Sequence, residues 1–432
     1  MQLDIATLQS AVRGSAAALR CRRRFQPAGG EGDKAFPPTF AGAVYAVEPR
    51  HVPGRPEPAT CVLLDSVQSQ ANRMELALQE ALDEGKIEIP VLEVDFTEYG
   101  PTRNIGDDEK NGRLLDAVGK VSSLQVPHRL ADVILRDSQI DGIDFRKSEK
   151  GKALNTASPV NATSLFALCP TALVFGMWDS TGPKGGLGPK FERAIVSEVV
   201  GIGAEVGGLL RGVRRDPLEI RAAVKVLKVA DKSYSVADPN AKEVKGAVSP
   251  SEVNHSSVPF PKDRKEKTEN NLYSGVTIEF AEQTTTLSLI CLRRLRFPIK
   301  GNSDAGLDEE ARKKAAKEAK ERDGAARTVL AALGLCAATL AFEPGMGLRS
   351  RCLLWPDGPM EWELLARPGE TPQRFSLTGD EAVALLNAAI KAAGETKLPW
   401  ESAPITLKPS PQLLKLVRLS QLEAVKEGPD AG

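Results

Sequence analysis

The sequence predicts an α+β fold organised on a central sheet. Three observations carry this: strand-patterned and helix-patterned segments alternate, long polar excursions interrupt them, and no linker cuts the chain cleanly into independent domains. At 432 residues, 41% of them hydrophobic, the chain can bury a sizeable core, and residues 1–432 read as one elaborated domain. Lys and Arg total 57, as do Asp and Glu, so the formal net charge is zero. A uniformly basic nucleic-acid coat is excluded, whereas local basic grooves are not. Aromatic residues make up 5%, so recognition of bases mainly by stacking is not expected.

The first helix is expected from about Ile5 to Leu19, ending in Arg20-Cys21-Arg22-Arg23-Arg24. Residues 26–39, with Gly29, Gly30, Gly32, Pro37 and Pro38, read as a loop. Phe40 to Ala46 and Ala59 to Leu64 have the apolar and β-branched content of short strands. Asp65 or Ser66 then caps the best-defined helix, in which Val67, Ala71, Met74, Leu78 and Ala81 recur on one face. Ile87 to Phe96 alternates as a strand or strand pair, of which Pro90 makes one half an edge or a bend. Pro127 opens a helix running to Asp137, because its fixed φ and missing N–H suit the first turn. Leu165 to Trp178 reads as a buried strand that discharges into a glycine-rich loop, after which Phe191, Ala194, Ile195 and Val199 suggest a helix. Residues 231–273 are polar and poor in large apolar side chains, and read as either a functional excursion or a partly disordered segment. Val276 to Phe280 is a strand, Thr284 to Leu295 a helix, and 308–323 a charged, alanine-rich helix continuing past Gly324. Gly347 to Leu354 returns as a strand and Asp380 to Ala393 as a helix, with loose segments at 401–411 and 427–432.

The six cysteines (Cys21, Cys61, Cys169, Cys291, Cys336 and Cys352) stand singly, with no CxxC pair, and only three histidines accompany them. Neither a disulfide framework nor a zinc site is indicated, and no metal or cofactor is expected. The most apolar run, Leu165 to Trp178, is broken by Pro170 and falls short of the roughly 18 residues that a membrane span needs. The N-terminus lacks a secretory hydrophobic region. A soluble cytoplasmic protein without a membrane partner is the expectation.

Three groups of residues suit phosphate and sugar contacts. Four glycines within 182–188 let backbone N–H groups approach an anion that Lys184, Lys190 and Arg193 would neutralise, helped by the dipole of a following helix. The spacing is neither a Walker loop nor GxGxxG, so nucleotide hydrolysis has no support, and a plain surface turn remains open. Ser66, Gln68, Ser69, Gln70, Asn72 and Arg73 form an amide-rich helix face that can donate and accept without demanding a sequence, or can be buried against the rest of the protein. Basic residues cluster at Arg20, Arg22, Arg23 and Arg24 and at Arg293, Arg294, Arg296 and Lys300; ordinary helix ends look similar. HExxH, GxSxG and paired-cysteine motifs are missing, so nothing compels an enzyme.

Leu63-Leu64-Asp65-Ser66-Val67-Gln68-Ser69-Gln70-Ala71-Asn72-Arg73 closely resembles a signature stretch of one CRISPR-associated family. Four further segments resemble it in the right order: Pro127-His128-Arg129 with Leu135-Arg136-Asp137-Ser138; Phe175-Gly176-Met177-Trp178-Asp179-Ser180-Thr181-Gly182; Ser251-Glu252-Val253-Asn254-His255; and Leu348-Arg349-Ser350-Arg351-Cys352. The family is the RAMP-superfamily backbone subunit of type I-G (formerly I-U) CRISPR surveillance (Cascade) complexes. Ser256-Ser257 depart from it, standing where many relatives carry a glycine.

The resemblance implies an RRM-like (ferredoxin-like) palm with large insertions. Residues 231–273 are the thumb candidate, and 301–325 a charged helical insertion without a family counterpart. Copies would stack head to tail along the spacer of the CRISPR RNA, beside other Cascade subunits. The guide would pair with a DNA target strand, and cleavage would fall to a recruited helicase-nuclease. By motif position, the expected RNA contacts are Arg22, Arg23, Ser66, Gln68, Ser69, Gln70, Asn72, Arg73, Arg136, Ser180, Thr181, Lys184, Lys190, Arg193, Asn254, His255, Arg293, Arg294, Arg349 and Arg351. The rival reading is a metal-dependent ribonuclease of the same superfamily, cutting from Asp137 or Asp179.

Overall fold

Leu19, Cys21, Arg23 and Phe25 are buried and alternate with Arg20, Arg22 and Arg24 on the other face, the period of two of a strand: residues Ala18–Pro27 form the central strand of a sheet. The computed structural model describes residues 2–41, 44–101, 113–207, 216–221, 223–229, 234–236, 246–253, 275–299 and 308–427. The first helix is accordingly shorter than expected. It spans Ile5–Arg13, capped by Asp4, whose side chain accepts from the Thr7 N–H, and ends at Gly14.

The main sheet has nine strands. Seven follow one another in the order Met346–Arg349, Cys352–Pro356, Ala18–Pro27, Phe280–Ser288, Ile195–Ile202, Ala59–Asp65 and Val47–Arg50. Of the other two, Glu361–Leu365 pairs with the first residues of the central strand and with Gln373–Ser376. Every pairing among these strands is antiparallel, and the sheet curls into a half-barrel. One face holds the core. The other leaves Arg20, Arg22, Arg24, Thr284, Thr286 and Glu198 exposed or half-buried.

Helices cover the core face. Glu309–Phe342 is capped by Asp308, which accepts from the Ala311 N–H, and carries Glu309 and Glu310 where the positive end of the dipole favours acids. Its first turns are exposed, whereas from Gly324 onward nearly every side chain is buried. By length and composition this helix is apolar enough to cross a membrane, but 83% of its apolar window is buried inside the molecule, as in a core helix. Arg23, reaching from the central strand, donates to the carbonyls of Phe342 and Glu343 and so caps the helix's last turn. Val67–Asp83 and Gly379–Gly394 pack beside it. A second sheet of five strands joins Leu92–Asp95 to Ile405–Pro409 in parallel, and the helix Pro411–Glu427 follows, so most of 401–411 is strand and helix start rather than loose, while 428–432 lie outside the described residues.

Several segments differ from the sequence reading. Leu165–Trp178 is two short helices, Thr163–Leu168 and Thr171–Val174, and only Met177–Trp178 is strand; a run buried on all sides has no periodicity to separate the two. Ile195–Ile202 is a strand, so no helix dipole follows the glycine loop. Thr284–Ser288 belongs to a strand, and the helix there is confined to Leu289–Arg293. The Pro127 helix breaks at Asp132 into two short turns. Phe40 and Val44 form only an isolated bridge. Most of 231–273 lies outside the described residues. Of its described parts, Tyr234–Val236 and Ala247–Val248 both pair with Val226–Lys228, and Pro250–Val253 forms a short helical turn.

Leu333, wholly buried in the long helix, tests this core. Leu333→Ala is expected to cost about 2–5 kcal/mol in urea denaturation, whereas exposed Lys317→Ala changes stability by less than about 0.5 kcal/mol.

Candidate nucleic-acid interface

Asp65 ends its strand 1% exposed and starts the helix Val67–Asp83, so its carboxylate needs partners. Gln70 Nε2 donates to it at 2.6 Å and Arg73 Nε at 2.9 Å, while Arg349 Nη2 stands 3.6 Å away. Arg73 also donates to the Gly347 and Leu348 carbonyls, and Arg349 to those of Phe36 and Leu64. The first and last motif segments thus form one polar knot between the helix and the hairpin 346–356. Gln70 continues inward, where its Oε1 accepts from Ser197 and Gln283. It is wholly buried, so for this residue the interior alternative for the amide-rich face holds.

Glu75 shares the apolar face of the same helix and is 2% exposed. Arg129 grips it with two nitrogens at 2.6 and 2.7 Å and directs a third to the Gly176 carbonyl at 2.9 Å. Burial pushes the Glu75 carboxyl up, against the lowering effect of Arg129. A third lock sits three residues beyond Gly176. Asp179, also 1% exposed, is held by Arg146 Nη1 and Nη2 at 2.7 and 2.8 Å. Gly182 and Gly188 close around it, since a Cβ on either would stand 2.4 or 1.9 Å from Asp179 atoms. The glycine loop is therefore wound on a fixed carboxylate.

Most of the expected contact residues fall into two places, beside the polar knot and on or next to the glycine loop. Beside the polar knot, Gln68 and Asn72 are exposed, and Ser66 (the helix cap, accepting from the Ser69 N–H), Ser69, Arg73 and Arg349 are half-buried. Arg351, exposed at the hairpin turn with φ +58°, lies over the Phe36 ring at 4.3 Å. On the glycine loop, Ser180, Thr181, Lys184, Lys190 and Arg193 are exposed, and Lys184 donates to the Asn155 carbonyl at 2.9 Å. Arg294 reaches Glu192, the neighbour of Arg193, at 2.9 Å, so the 293–296 arginines adjoin this loop. Arg293 is half-buried, with Nη1 unpartnered among the described residues. Arg22 stands apart on the open sheet face, paired with Glu282. Arg136 binds its own neighbour, Asp137. Arg23 is buried as the helix cap described above, which withdraws it from any outward contact. Asn254 and His255 lie outside the described residues.

Sequence reasoning missed Glu75, Arg50 and Arg146, and left Arg20 and Arg24 out of the expected contacts. An acid at Glu75, four residues after Ala71 on an apolar helix face, was the available signal for a buried partner. On the open face Arg20 pairs with Glu363 at 2.7 Å and Arg50 with Glu198 at 2.7 Å, while Arg24 lies over Phe280 at 4.1 Å. The hydrogen bond from Arg20 holds the Glu363 carboxyl below its usual 4.5.

Two outcomes check this electrostatic reading. Glu75→Gln is expected to cost about 3–5 kcal/mol in urea denaturation at pH 7, and the apolar pair Glu75→Leu with Arg129→Met to recover most of that loss. The folded carboxyl of Glu363 titrates below its unfolded value, so its stabilisation is present above pH 4.5 and is lost as pH falls through the lowered value. Thermal melts of Glu363→Gln and the parent chain should therefore differ at pH 7 and converge in acid.

No curated protein matches the chain. Residues 19–206, which carry the first three motif segments and all three ion-pair locks except Arg349, match the family model described as CRISPR-associated protein GSU0053, and to that extent the chain is similar to a CRISPR-associated protein family.

Proposed function

We propose that the chain is a non-catalytic CRISPR RNA-binding backbone subunit of a type I-G Cascade complex, stacked head to tail along the guide spacer. The curled antiparallel sheet with helices on one face is then the RRM-like palm, and 231–273 supplies the thumb. Its partners are the CRISPR RNA, the target DNA strand through the guide, further copies of itself, other Cascade subunits and a recruited helicase-nuclease.

The observation that carries this reading is the adjoining of two cation groups: Lys190 with Arg193, which follow a loop anchored by buried ion pairs, and Arg293 with Arg294, at the end of a neighbouring helix joined to them through Glu192. Such a surface suits a strand held by its phosphates, with sequence left to base pairing. The ribonuclease reading has less support, because Asp179 is buried under Arg146 and Asp137 is engaged by Arg136.

Purified protein is incubated with labelled CRISPR RNA, with and without Mg²⁺. The expected result is protection of the RNA and a salt-dependent mobility shift; Mg²⁺-dependent fragments that disappear in Asp137→Ala would favour the ribonuclease. Lys190→Ala and Arg193→Ala should each weaken binding to all spacer sequences alike and lower the salt slope by about one unit.

A further inference from the structure

Trp178 is the feature that backbone recognition leaves unused. Met177 and Trp178 pair antiparallel with Phe191 and Lys190. Alternation turns Met177 and Phe191 inward, each 6% exposed, and leaves Trp178 outward at 51%. Its cross-strand partner Lys190 sets an ammonium 5.2 Å from the indole centroid.

The ladder is fixed at both ends. Arg129 holds the Gly176 carbonyl on one side, and Arg146 holds Asp179 on the other. Gly176 adopts φ +82°, where a Cβ would meet the Arg193 side chain at 2.9 Å, so the backbone approach is close as well. The backbone that carries the indole is therefore fixed before binding, so no ordering of the ladder has to be offset.

We infer that Trp178 is a stacking platform for one nucleobase of a single-stranded RNA, with Lys190 and Arg193 taking the adjacent phosphates. This rests on the RNA-binding reading above and adds to it a contact with a base. Stacking leaves the reading of sequence free, because every base has a π-face. The exposed hydroxyls of Ser180 and Thr181 and the flanking cations favour a nucleotide over an apolar protein surface.

Fluorescence anisotropy of the full chain with labelled oligoadenylate, oligouridylate and an abasic ribose-phosphate oligomer tests this. Trp178→Ala should weaken oligoadenylate binding on the order of tenfold, with oligouridylate affected less and the salt slope unchanged. Trp178→Phe should retain most of the affinity, and the abasic oligomer should bind parent and variant equally. Trp355→Ala, at another exposed tryptophan, is the control and should bind as the parent does. Equal oligoadenylate binding by parent and Trp178→Ala overturns the inference, as does an equal loss on the abasic oligomer. Loss of self-association in Trp178→Ala with RNA binding intact overturns it too, making the indole a protein contact. Failure of the parent chain to bind any of the three oligomers instead overturns the RNA-binding reading itself.

Discussion

The buried pair of Glu75 and Arg129 is the constraint on which the surrounding structure depends. A carboxylate and a guanidinium withdrawn from water cost several kcal/mol each unless their hydrogen bonds are met. Here two bonds join the charges and a third goes to the Gly176 carbonyl. Arg129 makes these bonds from φ +51°, in the left-handed region that non-glycine residues seldom adopt. The helix Val67–Asp83, the turn at 129–131 and the start of the Trp178 ladder are consequently fixed relative to one another.

The polar knot at Asp65 does the same for the first turns of that helix. Gln70, Ser197, Gln283 and Thr285 form a hydrogen-bonded chain between helix and sheet, in a region otherwise packed with apolar side chains. Such a network specifies a register, because sliding the helix by one residue would strand every member of it. Residues that look, in one dimension, like a ready-made ligand surface therefore divide their labour. Gln70 and Asp65 hold the fold, while Gln68 and Asn72 face solvent.

That division explains how much was legible in the sequence. The helices at 67–83, 309–342 and 379–394 were readable, since caps at Ser66, Asp308 and Thr378 and sustained patterning mark them locally. The strands Ala18–Pro27 and Ile195–Ile202 were not, because Arg23 replaces an apolar residue in the first and the second is buried on almost every position. Local pattern also fails at Leu165–Val174, where tertiary burial on all sides erases the contrast that distinguishes helix from strand. For the candidate interface, motif position found neighbourhoods that the fold brings to the surface. Which side chains point outward was decided by ion pairing between segments far apart in the chain, such as Arg146 with Asp179 and Arg349 with Asp65.

The amino-terminal turns of the long helix satisfy their hydrogen bonds within the helix and surrender their charges to water, while the half beyond Gly324 is gripped by the core. Packing grips only the inner half, so the length of the outer turns is set by their cap and helix-forming residues rather than by the core.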